Sequence, residues 1–468
     1  MASERILIRG GQVVTENGVS VADVLVEGER IAAVGQGLDA TSAAVFDASG
    51  CLVMPGGVDV HTHMGMPLGD IRTSDDFETG TIAAAFGGTT TVVDFANPVR
   101  GQSLLEAFET WRRWADGSVV IDYSLHVTVP EVRASTGDEM ARLLDRGVTS
   151  FKVFMAYPDT LMLSDPELGA ALRWAASSGA LIMVHAEDGL AISQLVNEAI
   201  RAGHTDPMWH VRTRPPALEG KAAAKVIAMA GEVGASLYVV HLTCRDALLE
   251  VARAKAMGQA VFAETCPHYL FLTEEHVARG GFEGAKYVCS PPLREASHGQ
   301  ALWGGLADGT LDVVATDHCA FNFVGQKDRG IEDFRRIPNG LPGVETRLFL
   351  LWQGVREGRL APERFVGLVS TAPARMFGLW PRKGEIAPGA DADILVWDPD
   401  KETALSCSSL HTAVDYSPYE GMKVKGGVVR VYSRGHLVID AGRFVGTRGH
   451  GRFLPRTRPV LPGRASVL

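Results

Sequence analysis

Between residues 58 and 318 the chain repeats one pattern eight times: a short β-type run, then a helix-type stretch or a long loop. The runs are VDVHTHM (58–64), TTTVVDF (89–95), SLHVTV (124–129), SFKVFM (150–155), ALIMVHAE (180–187), SLYVVHLT (236–243), AVFAETC (260–266) and LDVVATDH (311–318). Stretches such as DEMARLLDRG and EGKAAAKVIAMAGEVG separate most of them. Strands joined by helical crossovers run parallel, and eight such units point to a (β/α)8 barrel, an α/β fold. An open doubly wound sheet is the alternative. No G-x-G-x-x-G follows any of the strands, which weakens a dinucleotide-binding version of it.

The two ends of the chain read differently. ILIRGGQVV, ADVLVEGERIAAVG and AAVFDASGCLVMPG at the start, and ADILVWD and VKGGVVRVYSRGHLVIDAGRFVG near the finish, are β-rich. Gly10-Gly11 and Asn17-Gly18 read as hairpin turns. The economical arrangement is one small β-sandwich built from residues 1–55 and 376–468, with residues 56–375 forming the inserted barrel. At 468 residues the chain has room for both, since a barrel takes about 250.

Composition removes several function classes. Hydrophobic residues make up 46% and charged residues 21%, which excludes a disordered chain. The net charge of −10 argues against a nucleic acid or an anionic membrane surface as partner. No run of about 18 apolar residues exists to span a bilayer. MASERILIRG lacks the apolar core of a secretory signal. Six scattered cysteines with no CxxC pair do not form a disulfide framework. The expected setting is the cytoplasm.

In a barrel the chemistry sits at the C-terminal ends of the strands. Strand one ends in His61-Thr62-His63, and residues two apart on a strand face one side. Strand four carries Lys152, strand five ends at His185, strand six at His241 and strand eight at Asp317. A lone histidine in an apolar strand is ordinarily a hydrogen-bonded core residue, and His126 in SLHVTV is read so. Four histidines and an aspartate converging from four strand ends suit zinc or a similar divalent ion. Five protein ligands exceed the three that one catalytic zinc usually takes, so two metals are favoured. Lys152 beside two cations would be costly as an ammonium, so it is neutral, modified, or a lysine snorkelling to the rim.

Taken in order, MPGGVDVHTHM, FGGTTTVVDF, SFKVFMAY, VHAEDG, RPPALEGKA, VVHLTC, ETCPHYL, YVCSPPLR, TDHCAFNF, QKDRGIEDFRRIPNG and DYSPYEGMKVKG resemble the dihydropyrimidinases and hydantoinases, the cyclic-amide branch of the amidohydrolase superfamily. The resemblance implies a barrel with a two-part sandwich and a centre of two divalent metals, usually zinc, with manganese or cobalt as variants. His61 and His63 would bind the first ion and His185 and His241 the second. Lys152 would carry a CO2-derived carbamate (N6-carboxylysine) bridging both, and Asp317 would complete the first shell. Asp317 would also shuttle the proton. Tyr157 would donate to the oxyanion, and the main chains of Ser290 and Asn339 would hold the ring's amide edge. The product would be an N-carbamoyl amino acid, and the assembly a homotetramer or homodimer.

Departures from the relatives' pattern are Asp188 in HAEDG, His268 in CPHYL and Ala320 in TDHCAF, none of them a ligand. Dihydroorotases typically carry an arginine two residues after HxH. Met64-Gly65 stand there instead, favouring a cyclic imide or ureide over dihydroorotate or allantoin. A non-catalytic scaffold relative would lack the ligands, all six of which are present. Met64, Leu68, Phe95 and Leu161 are expected around the pocket.

Overall fold

The computed structural model describes residues 5–460. The first four residues of the start read for a leader, and the last eight of the sandwich assignment, lie outside the described residues.

Eight parallel strands form the middle of the chain: β1 (Gly57–Thr62), β2 (Thr89–Ala96), β3 (Asp122–Thr128), β4 (Ser150–Phe154), β5 (Leu181–His185), β6 (Leu237–Val239), β7 (Val261–Thr265) and β8 (Val313–Val314). They lie in sequence order, each paired with the next. First and last strands meet through the Thr62–His318 bridge, with the His63 amide on the His318 carbonyl at 2.8 Å. Below that bridge the Arg347 guanidinium donates to the carbonyls of Val58 (2.9 Å) and Val314 (3.1 Å), one on each side of the seam. The eight-unit barrel expected from the alternating pattern is the fold observed, not an open sheet.

Period-two alternation builds the interior. Val58, Val60, Val93, Phe95, Leu181, Met183, Tyr238, Phe262, Val313 and Ala315 pack as one buried cluster inside the ring. Two residues further along, the same inward rows turn polar: Met183 is followed by His185, Phe262 by Glu264 and Ala315 by Asp317. The apolar floor and the chemical mouth are thus successive layers of one structure. On β1 the register shifts between Asp59 and Thr62, and both His61 and His63 then stand against the inner-layer ring of Phe95.

Both ends of the chain join one nine-stranded sheet. Ile394–Leu405 runs antiparallel to Leu52–Pro55, which pairs with Arg5–Thr15. Asn17-Gly18 makes the expected hairpin, with Thr15 opposite Gly18. Gly10-Gly11 does not. It lies inside the strand Arg5–Thr15 as a bulge, where the register slips between Ile8 and Gly11. Gly10 takes φ +72°, and a β-carbon on Gly11 would stand 2.5 Å from Val53, so the glycines serve a kink and a close approach rather than a reversal.

Sheet and barrel are joined by buried charge. The Lys383 ammonium lies 2.7 Å from Asp122 at the start of β3 and 2.7 Å from Asp393 beside the sheet. Arg434 adds a second cation to Asp122 at 3.0 Å. The chain then runs under the barrel's N-terminal end. Leu454 donates to the Tyr123 carbonyl at 2.7 Å, and Arg456 reaches Ser150 Oγ at 2.8 Å and the Leu125 carbonyl at 2.6 Å. All six cysteines are free, and among the described residues no helix is long and apolar enough to cross a membrane.

Candidate active site

At the mouth, His61, His63 and Asp317 offer ligand atoms that all lie within 4.8 Å of one another. Asp317 Oδ1 is 3.2 Å from His61 Nε2 and 3.3 Å from His63 Nε2. Burial would push the Asp317 carboxyl up, but the imidazoles of His61, His63 and His241 hold it well below the usual carboxylate range. Burial takes His63 down to about 4 and drives His241 well below the ordinary histidine value, so both are neutral imidazoles at physiological pH.

A second pair stands beside the first. His185 Nδ1 faces His241 Nε2 at 3.0 Å, and the His241 ring centroid is 5.5 Å from that of His61. Two carboxylates set the tautomers from behind. Glu264 Oε1 accepts from His61 Nδ1, and Glu187 Oε2 lies 2.7 Å from His185 Nε2. Each imidazole donates outward and keeps its lone pair for the centre. His61 Nε2 is buried without a hydrogen-bond partner, and Asp317 Oδ1 stands 3.2 Å in front of it. The 3.0–3.3 Å spacings also match neighbouring ligand atoms around a tetrahedral zinc, about 3.3 Å apart. The donor set therefore fits divalent metal.

Lys152 is 2% exposed, with Nζ 5.1 Å from the ring centroids of both Phe95 and Phe154. It does not snorkel to the rim. Burial brings its ammonium down to about 8, with the Asp317 and Glu264 charges opposing that fall. Tyr157 closes the other side, its ring 5.4 Å from that of His185. Burial raises its phenol to about 12, while hydrogen bonds with Ser290 and Asn339 pull the other way. The nine catalytic, metal-ligand and ring-binding candidates, His61, His63, Lys152, Tyr157, His185, His241, Ser290, Asp317 and Asn339, are therefore brought to one mouth. Three of them, Tyr157 (φ 64°), His241 (φ 36°) and Asp317 (φ 48°), sit in the left-handed region that non-glycine residues avoid.

That strain explains a difference from the sequence reading. β6 ends at Val239 and β8 at Val314, so His241 and Asp317 lie just past their strands, where the backbone turns the side chains inward. His126 has the structural role expected, bonded to Ser150 Oγ at 2.6 Å and the Val60 carbonyl at 3.0 Å. Met64 turns away from the expected pocket wall. It is fully buried against Gly80, whose β-carbon would stand 2.9 Å from its sulfur. Asp188 caps the helix Gly189–Arg201 and pairs with Lys221 at 2.8 Å. Glu264 and Glu187 were not singled out in the sequence; the one available signal was a carboxylate inside or just after an apolar strand run.

The amidohydrolase family profile matches residues 52–438. The chain is 50% identical to a D-hydantoinase of Streptomyces coelicolor over 459 residues, covering 97% of this chain and 98% of that one. It is 46% identical to a D-hydantoinase of Geobacillus stearothermophilus, covering 97% and 96%. Among solved structures, a dihydropyrimidinase from Brevibacillus agri superposes with a TM-score of 0.97 at 46% identity, covering 98% of this chain and all of that one. An L-hydantoinase from Arthrobacter aurescens superposes at 0.88 with 31% identity, covering 97% and 100%.

Proposed function

This chain belongs to the amidohydrolase family, and from that premise we propose that it is a metal-dependent cyclic amidase, opening the ring amide C–N bond of hydantoins and dihydropyrimidines to give N-carbamoyl amino acids. The observation that carries the reading is two adjoining pairs of imidazoles around one ionised aspartate, with His61 and His185 each backed by an outer carboxylate. His61, His63 and Asp317 would hold one ion and His185 and His241 the other, with Lys152 between them as a carbamate. Zinc suits the donor set, and manganese or cobalt are the variants to test. When bound, such ions supply Lewis acidity and a water that loses its proton near neutral pH.

The protein's own groups do the rest. Asp317, anionic at neutral pH, accepts the proton of the attacking water and returns it to the ring nitrogen as the C–N bond breaks. Tyr157, kept protonated by burial, donates its hydroxyl to the oxyanion that grows on the carbonyl. The main chains of Ser290 and Asn339 receive the amide edge of the ring. Lys152 has about a tenth of its amine uncharged at pH 7 when its value is about 8, enough to add to CO2 with loss of a proton. The carbamate turns a buried cation into an anion, which is the form that a pair of cations stabilises.

We also propose the division at residues 55–56 and 375–376 between peripheral module and barrel, a homotetramer (a homodimer being the alternative) and a cytoplasmic setting in which the free cysteines stay reduced. A ring-opening panel tests the activity: dihydrouracil, hydantoin, phenylhydantoin, allantoin and dihydroorotate, with added zinc or manganese and the bound metal counted. Turnover of the first three, with about two ions per chain, is expected. Preference for dihydroorotate or allantoin would replace the substrate class. Fewer than about one ion per chain without chelator would overturn the binuclear reading.

A further inference from the structure

Lys327 is fully buried, and among the described residues no carboxylate forms an ion pair with it. It opens the short helix Lys327–Gly330 in the long segment that follows β8. Its Nζ donates to two main-chain carbonyls, Val288 at 3.0 Å and Pro338 at 2.9 Å. The Val288 carbonyl also accepts the Gly340 amide at 3.1 Å. Val288 lies two residues before Ser290 on one loop, and Pro338 and Gly340 flank Asn339 on the other; Ser290 and Asn339 are the two partners of the Tyr157 hydroxyl. One ammonium therefore ties together the two segments that face the catalytic phenol.

A buried cation without a paired anion is costly, and a leucine or methionine would fill the same space at less cost. Burial pushes the Lys327 ammonium down to about 7, with the Cys289 and Cys319 thiols as the neighbouring acids. The two carbonyls compensate only part of that. What the lysine supplies and an apolar side chain lacks is a pair of donors aimed at two separate loops, which fixes the distance between them.

We propose that Lys327 is a positioning residue for substrate: it sets the spacing of the Ser290 and Asn339 main chains, and so the width of the slot that receives the amide edge of the ring. The inference rests on the reading that those main chains bind the ring. Lys327 does not touch the reacting atoms. Its loss widens the slot and weakens ring binding, while the metal-ligand side chains and Asp317 keep their places.

The test uses the metal-loaded enzyme and a 5-substituted hydantoin. Lys327→Met, which has similar length but no donors, is expected to raise KM about tenfold while kcat changes less than about threefold and bound metal is unchanged. Lys327→Gln, which keeps neutral donors on a shorter arm, is expected to raise KM by a smaller factor. It serves as the second variant should the methionine chain not fold. An unchanged KM in either folded variant overturns the proposal, as does a fall in kcat that tracks lost metal. Crystal structures of the variants separate the two readings involved. If the loops have not parted, the strut itself is wrong. If they have parted and KM is unchanged, the assignment of Ser290 and Asn339 to the ring falls.

Discussion

Glu264 stands behind His61, with one oxygen on the imidazole Nδ1 and the other 2.8 Å from the Tyr238 hydroxyl. It also accepts the His241 amide at 3.2 Å, so one carboxylate braces a ligand from each half of the centre. Glu264→Gln keeps the size and the acceptor but removes the charge that polarises the imidazole. Metal affinity should fall about 10- to 100-fold, read by chelator competition, and unchanged retention would sink this role. His61 and His63 announce themselves by adjacency, and His185 and Asp317 by their places at the ends of apolar runs. Glu264 acts on a residue 203 positions away, and nothing local in AVFAETC distinguishes it from a carboxylate paired elsewhere.

Among the elements, the eight strands were legible because each packs on both faces and reads as a short apolar run. Their ends were not. β6 and β8 stop early because His241 and Asp317 take left-handed backbone, a conformation that tertiary contacts impose and side-chain chemistry does not advertise. The loops over the mouth depend on similar details. Gly340 has φ +144°, and a β-carbon there would stand 2.2 Å from the Cys319 carbonyl oxygen. Gly340→Ala should force the Asn339 loop outward, costing about 1–3 kcal/mol of strain and raising KM. Thermal melting and steady-state kinetics check both parts; a variant with parental Tm and KM would show the loop to be freer than its geometry implies. The same reasoning explains Gly10-Gly11, where a turn-like dipeptide is a bulge because Val53 packs on it.

For the whole molecule, the hold of the peripheral sheet on the barrel depends on Lys383 and its carboxylates. Burial would lower that ammonium, but Asp393, Asp122 and Asp391 hold it above the ordinary lysine value, so it stays charged wherever the protein is folded. Lys383→Met would leave Asp122 and Asp393 buried and short of a cation. A loss of about 3–5 kcal/mol is expected in denaturant unfolding, and an unchanged midpoint would show the cluster to be dispensable. That the two chain ends come together in one β-module was readable from their shared β-rich composition; the sequence suggested a sandwich, and the strands form one nine-stranded sheet. How the sheet attaches was not, because Asp122 and Lys383 lie 261 residues apart.

The segment under the barrel carries a consequence for the order in which a ribosome delivers this chain. Asp122 accepts the Arg452 amide from 330 residues downstream, and Tyr123, Leu125 and Ser150 likewise wait for Leu454 and Arg456. During synthesis the early barrel strands therefore emerge with their lower rim uncovered, and the last of their partners is made after every proposed metal-ligand residue has left the tunnel. The nascent barrel's lower rim stays exposed through that interval, so any metal taken up at the proposed centre before it ends would enter a barrel not yet closed below.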